Sequence, residues 1–325
     1  MHRNTTAIGF NVFTSLSDGS LAEPAERLQL QRPVGYTSIP IGADFMNILI
    51  RLFALVGAIV IISASASAQW PDHKDPRATR TPDGKVDLNG PTPRTPDGKP
   101  DLSGTYRNLT RGANEPREAL SLDEKPMATF RDIGAGFKDG LPLRPWAKEL
   151  LQKRMADNSK DNPDVWCLPL GNQQFNVHTF PRKVVQSRDL VLILYETHQG
   201  IRQIFTDGRS IPKNDPQPWF FGYSVGRWEG DTLVVETSGF RDGGWLDING
   251  SPLTEQGRTI ERFRRPNFGT IEIEQTIDDP KAYTRPFTTR LTWRLMPDTE
   301  IMEMICLENN QSIHHLVGAD GPVKR

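Results

Sequence analysis

FFGYSVGRWEGDTLVVETSGF, residues Phe220–Phe240, reads as two β-strands folded back on one another. Trp228 and Leu233 flank Glu229-Gly230-Asp231, where glycine can take the positive φ that a tight hairpin demands. Tyr223, Val225, Leu233 and Val235 recur at period two, the spacing of a strand with one buried face. The same pattern continues on both sides. Upstream, Val184–Gln186, Leu190–Thr197 and Ile201–Thr206 are separated by Ser187-Arg188-Asp189 and His198-Gln199-Gly200 turns. Downstream come Arg258–Arg265, Thr270–Ile277, Phe287–Leu295 and Ile301–Leu307. Ile271, Ile273 and Ile277 share one face of their strand and Glu272, Glu274 and Thr276 the other, while Leu291, Trp293 and Leu295 share a face of theirs. About nine short strands joined by tight turns predict an all-β, mainly antiparallel fold. The architecture expected is a single β-barrel or strongly curved sheet. Neither βαβ alternation nor a Gly-rich phosphate loop is present, which disfavours a nucleotide-binding α/β fold.

N-terminal to these strands the pattern changes. PWAKELLQKRMADN, Pro145–Asn158, is the one convincing helix: proline suits a first helical turn, and Trp146, Leu150, Leu151 and Met155 follow helical spacing. It is expected to pack that stripe on a sheet face or to close a barrel end. A second short helix is expected near Leu122–Arg131. Residues 69–101 form a Pro- and Gly-rich leader with a tandem near-repeat, RTPDGKVDLNG from Arg80 and RTPDGKPDLSG from Arg94. Each Pro-Asp-Gly signals a turn. Two copies are too few for a solenoid. The first reads as a mobile leader, the second as the way into the barrel domain, residues 102–325, with Leu102–Tyr106 a first strand.

The chain has 325 residues, with 39 Lys plus Arg against 40 Asp plus Glu. That balance gives no electrostatic ground for nucleic acid or an anionic membrane as partner. Met46–Ala68 has the parts of a secretory signal: Arg51, an apolar run Leu52–Ile62, and Ala66-Ser67-Ala68 as a cleavage site. The run is short for a transmembrane helix, so no stable membrane insertion is expected after cleavage. Residues 1–45 then read as a mis-assigned extension upstream of a true start at Met46, and the mature protein, Gln69–Arg325, as periplasmic or secreted. Both cysteines, Cys167 and Cys306, lie in that part. In an oxidising compartment they are expected to pair, a bridge worth about 4–5 kcal/mol by chain entropy, with two buried free thiols the alternative.

Several stretches together carry a resemblance: GYSVGRWEGDTLVVETSGF (Gly222–Phe240), WLDINGSPLTE (Trp245–Glu255), ERFRR (Glu261–Arg265), TIDDPKAYTRPF (Thr276–Phe287), CLEN (Cys306–Asn309) and HLVG (His315–Gly318). From about Arg94 to Gly318 the chain resembles a large family of exported, mostly uncharacterised bacterial proteins, which implies export and fold more than activity. Where much of that family carries a histidine, this chain has Leu253, which speaks against a mechanism based on that residue. Asp101-Leu102-Ser103-Gly104-Thr105-Tyr106 also resembles the start of lipocalin-like barrels, an analogy of fold only.

Candidate site residues are polar or aromatic side chains within strand patterns. Glu236 and Glu261 are candidates for proton transfer, since a carboxylate aimed into a barrel is desolvated and its pKa raised. Arg262 is the candidate anion-holding group beside them. Glu196, Arg202, Tyr223, Trp245 and His315 are candidate ligand contacts, the aromatic ones suiting a sugar or aromatic ring. The competing reading pairs the charges across the solvent face and places the aromatics in the core. The histidines show no HxH or HxxxH spacing and the cysteines no CxxC, so neither metal nor cofactor is expected. Gly222-Tyr223-Ser224-Val225-Gly226 has the letters of a nucleophile elbow but lies within a strand with no helix following. Two functions remain: a protein binding a small, partly apolar or sugar-like ligand in its lumen, or a lyase, isomerase or hydrolase acting on a small organic or glycosidic substrate by carboxylate acid–base chemistry. A purely structural or assembly role is the third, marked by a filled barrel together with a large exposed apolar patch.

Overall fold

The structure, a computed structural model, describes residues 74–109, 125–213, 218–308, 310–311, 315–318 and 321–322, with Asn47 and Arg51. The chain divides into two units, Met1–Gln69 and Trp70–Arg325; apart from Asn47 and Arg51, the described residues lie in the second. The upstream extension and the secretory signal thus fall almost wholly outside the described residues. Nine strands close into one barrel: β1 (Gly104–Asn108), β2 (Arg182–Gln186), β3 (Leu190–Tyr195), β4 (Ile201–Phe205), β5 (Tyr223–Glu229), β6 (Thr232–Ser238), β9 (Arg258–Asn267), β10 (Thr270–Asp278) and β11 (Phe287–Leu295). Two small strands, β7 (Gly244–Trp245) and β8 (Pro252–Leu253), form a hairpin of their own between β6 and β9. Around the barrel the order is β1-β11-β10-β9-β6-β5-β4-β3-β2, returning to β1. Every pairing is antiparallel except β4 with β5. The meander is therefore broken once, and the nine-stranded mixed barrel differs from an eight-stranded up-and-down barrel.

The opening hairpin forms as its sequence dictates. Glu229 pairs with Thr232 across Gly230-Asp231, and Gly230 has φ +58°. The faces differ from the pattern-based expectation on one strand. Leu233, Val235 and Thr237 of β6 point inward, but β5 turns Ser224, Gly226 and Trp228 inward and Tyr223 and Val225 outward, since Tyr223 pairs with Ser238 and Val225 with Glu236. The small residues are needed there. A Cβ on Gly226 would lie 3.0 Å from Ile204 and 3.2 Å from Leu233, so the lumen has no room for a side chain at that level. On β10 and β11 the alternation holds: Ile271, Ile273, Ile277, Leu291, Trp293 and Leu295 are all buried.

The leader is a docked arm, contrary to the reading of its first copy as mobile. Both repeats fold into the same bracket. Arg80 bridges Val86 and Arg94 bridges Pro100, while the amides of Gly84 and Gly98 donate to the Thr81 and Thr95 carbonyls. Gly84 and Gly98 each have φ +81°, the conformation that makes glycine the suitable residue after Pro-Asp. Each bracket's arginine then reaches the barrel, Arg80 to Asp298 (2.7 Å) and Arg94 to Asp231 (2.7 Å). Between them Leu88 and Gly90 accept from the Gly269 and Phe268 amides, and the Leu102 amide donates to Gln186, so the arm closes one barrel end. The first strand starts two residues later than expected, at Gly104.

The opposite end is closed by the described part of the excursion between β1 and β2, residues 125–181. Helix α1 (Pro145–Ala156) stops two residues before the expected Asn158, and its contacts differ from the apolar stripe. Ala147 is the helix's one buried residue, while Trp146 and Met155 are 40 % and 50 % exposed. The helix docks edge-on against β8 through small and polar groups, with Arg154 Nη1 donating to Gly250 O (2.7 Å). Helix α2 (Asn172–Val177) is buried at all six positions. The described part of the other expected helix, residues 125–131, is not helical. Nor is Ile301–Leu307 a strand: it has no ladder partner and is held by the Cys167–Cys306 disulfide (Cα–Cα 5.5 Å) and by Glu196, which accepts from the Met302 amide. No helix of the described residues is long and apolar enough to cross a membrane.

Candidate functional site

Among the described residues the lumen is filled at one level and polar at the next. Its lower half is a packed apolar layer of Val184, Val191, Ile193, Ile204, Leu233, Phe263, Ile271 and Trp293, leaving about 10 Å³ between them. That is about one water-sized probe. Above this layer the wall turns polar, and here two of the sequence candidates meet. Arg202 on β4 spans the barrel to Glu261 on β9, its Nη1 3.0 Å from Oε1 and its Nη2 on Oε2. Arg202 also donates to Ser224 Oγ (3.2 Å) and Thr237 Oγ1 (3.0 Å), and Asn176 Nδ2 of α2 donates to Glu261 Oε1 (2.6 Å). Burial opposes the charge of Arg202, but the Glu261 carboxylate holds its pKa above the usual guanidinium value. Tyr195, whose hydroxyl donates to Asn176 Oδ1, is pushed up to about 12 by burial. These groups are saturated with one another. They form an ionic lock beneath α2.

The remaining candidates are scattered. Glu236 and Arg262 lie on the barrel's outer face, paired with Arg258 (2.7 Å) and Glu229 (3.0 Å), because their strands alternate and Thr237 and Glu261 take the inward positions. Tyr223 also faces out, stacked on Phe205 with its hydroxyl accepting from Arg209. His315 is exposed near the C-terminus, and buried Glu196 serves the Met302 backbone. Two carboxylates aimed at one bound atom are not found at these positions.

Trp245 leads instead to a cleft at the barrel mouth. A volume of about 350 Å³ opens between residues 168–173 and residues 240–245, with Phe220 and Leu253 completing its wall. Trp245 is 4 % exposed and held from behind by the Arg154 guanidinium, 4.2 Å over its ring. Burial pushes Arg154 down to about 10. The lining mixes apolar side chains, Leu168 and Phe220 at 49 % and 36 % exposed, with the charged Arg241 and Asp242. Arg241, stacked on Phe220 at 4.9 Å, adds the cation nearest the opening. Asn172 and Gln173, both fully covered, form the floor, and none of their four side-chain amide atoms has a partner in the protein. Each such atom costs about 1–3 kcal/mol unless a polar group reaches it. Sequence reading missed this pair because an uncharged polar run, Gly171-Asn172-Gln173-Gln174, carries no periodicity and no titratable group.

A second polar cluster lies under the C-terminal segment. Asp164 Oδ1 is 2.6 Å from His198 Nε2, and His178 Nε2 is 3.9 Å from Oδ2. Both imidazoles are buried, and burial pushes His178 down to about 4 against the pull of Asp164. The Cys167–Cys306 disulfide adjoins His198. Asp247, buried beside α1, has its pKa raised by burial although the Ile133, Gly250 and Ser251 amides all donate to it; its role is to fold the loop after β7.

Fold and cleft define the class: a closed mixed β-barrel with a filled lumen, presenting an aromatic-rimmed, amide-floored cleft at one mouth. No family model and no curated protein matches the chain.

Proposed function

We propose that this is an exported protein that binds a small, neutral, partly apolar ligand, sugar-like in carrying both a ring face and hydroxyl or carbonyl groups, in the cleft at the barrel mouth. One observation carries the reading: a 350 Å³ cleft walled by Trp245 and Phe240 is lined by Asn172 and Gln173, whose unpartnered amide atoms lie covered beneath its surface and would meet a ligand once these side chains turn towards it. An apolar surround with a few convergent polar groups is the usual build of a small-molecule site. The ring would stack on the aromatic wall while its hydroxyls meet the amides. Export is supported by the disulfide and by the leader sequence of Met46–Ala68. The resemblance to exported bacterial proteins agrees with export, and the site is moved from the lumen expected to the mouth. The acid–base alternative has less support, since Glu261 is locked to Arg202 and Glu236 faces outward.

The test is thermal unfolding of the purified protein against sugars, aromatic alcohols and lactones, followed by titration of intrinsic tryptophan fluorescence. A ligand at 100 times its Kd stabilises by about 2.7 kcal/mol through mass action. Gln173→Leu and Leu253→Trp, which alter floor and wall, are expected to weaken binding at least tenfold. A ligand whose affinity both variants leave unchanged would place the site elsewhere.

A further inference from the structure

The cluster under the C-terminal segment has no part in the cleft, yet it has the composition of a metal site. The sulfurs of Cys167 and Cys306 and a ring nitrogen of His198 all lie within 4.8 Å of one another. His198 has a side chain only 3 % exposed, and its Nδ1 has no partner in the protein. Its Nε2 is engaged by Asp164 at 2.6 Å. A carboxylate on one imidazole nitrogen fixes the ring and leaves the other nitrogen to ligate, the arrangement that supports most metal-bound histidines. Asn310 Nδ2, 3.6 Å from Cys167 Sγ, supplies a donor of the kind a thiolate accepts. While the sulfurs are bonded to each other, neither can be a thiolate, and the ligand set is closed.

We propose that reduction of Cys167–Cys306 opens a Cys2His site for a soft divalent cation of the zinc type, with Asp164 orienting His198 and the fourth position left to solvent or an exogenous donor. The electrons and protons balance with a dithiol as reductant. Its two thiols close to a disulfide, and its two electrons and two protons convert Cys167–Cys306 into two thiols; cation binding then releases those protons to water. The fold permits the movement required. Cys167 and His198 are fixed in tight left-handed turns, with φ of 56° and 54°. Cys306 rides on residues 301–308, which form neither helix nor strand. It can withdraw to the sulfur–sulfur separation of roughly 3.7 Å that two Zn–S bonds of about 2.3 Å require in a tetrahedral site. The three ligands come from a 3-10 turn, a strand connection and a C-terminal segment, which is why no local spacing in the sequence announces them.

The experiment titrates Co²⁺ into the full-length protein under anaerobic conditions, in the disulfide form and after reduction by a phosphine. Expected for the reduced protein is one equivalent of tetrahedral cobalt with visible d–d bands and a near-ultraviolet thiolate charge-transfer band, both abolished by Zn²⁺. The disulfide form is expected to show neither. Asp164→Asn should weaken cobalt binding by about 10–100-fold while keeping the thiolate band, and His198→Ala should weaken it further and alter the d–d envelope. Absence of the thiolate band in the reduced protein overturns the proposal. So does a band of equal affinity in His198→Ala, which would mean that unfolded thiols alone had captured the cation; circular dichroism of each reduced sample identifies that state.

Discussion

Glu261→Gln tests whether the lumen is a lock or a binding chamber. The substitution keeps volume and the hydrogen bond from Asn176, but leaves the Arg202 guanidinium, 1 % exposed, without a counter-charge. The glutamine carbonyl and the Ser224 and Thr237 hydroxyls would remain beside it, all neutral acceptors. Breaking a buried ion pair from one side costs about 3–5 kcal/mol, because an uncompensated charge stays buried. At about 2–4 °C per kcal/mol for a domain of this size, that is a fall in Tm of about 6–20 °C. Replacing both partners by apolar residues, Arg202→Met with Glu261→Leu, removes the stranded charge and should recover most of the loss. Urea unfolding of the wild type, Arg202→Met, Glu261→Leu and the double variant closes the cycle, with Glu261→Gln measured beside it. A loss below about 1 kcal/mol in Glu261→Gln would refute the reasoning: it would mean that water or another group compensates Arg202 and that the lumen is more open than its packing implies. Ligand binding at the mouth by the folded double variant is expected to stay within threefold of wild type.

Three further outcomes follow from the structure. Because burial depresses His178 to about 4, the folded state favours the neutral imidazole; its contribution is full above the unfolded pKa near 6.5 and is lost as pH falls towards 4. Urea unfolding from pH 7 to 4 should therefore show up to about 3 kcal/mol of lost stability that His178→Gln lacks, with Asp164, Arg182 and His198 unchanged around it. Converting both Cys167 and Cys306 to serine removes a bridge between residues 139 apart and should lower the guanidinium-derived stability by about 2–5 kcal/mol; a change under 1 kcal/mol would show that residues 301–308 are held by other means. Gly98→Ala introduces no clash but must adopt φ +81°, so it should cost about 1–2 kcal/mol and speed proteolysis within residues 74–103, whereas Arg94→Ala, losing an exposed pair with Asp231 and an exposed hydrogen bond to the Gly98 carbonyl, should cost about 1 kcal/mol or less.

How far the barrel can be read from sequence depends on whether its physics is local. The β5–β6 turn is legible because Gly230 and the flanking period-two residues act within a few positions of each other. The face of β5 is not, because its inward residues Ser224 and Gly226 are small to make room for Arg202, Ile204 and Leu233 from other strands, and small residues carry no hydrophobic signal. Glu261-Arg262-Phe263-Arg264-Arg265 is ambiguous for a related reason. Glu261 and Arg265 point inward and Arg262 and Arg264 outward, so both faces are charged and alternation cannot choose between them. The repeated Thr-Pro-Asp-Gly-Lys turns are recognisable as turns, but their docking depends on Asp231 and Asp298, more than a hundred residues away.

The same distinction decides where a ligand can act. Candidates chosen for charge within strands were drawn to the lumen or to the outer wall, and in both places their partners already occupy them. A ligand entering the lumen would have to displace a layer that leaves about 10 Å³, and then part Arg202 from Glu261 at the cost worked out above. The cleft demands neither. Its wall already holds Leu168, Phe220 and Leu253, Trp245 is braced by Arg154, and Asn172 and Gln173 stand to gain hydrogen bonds rather than lose them. The balance of those two costs, rather than the size of the barrel, places recognition at the mouth.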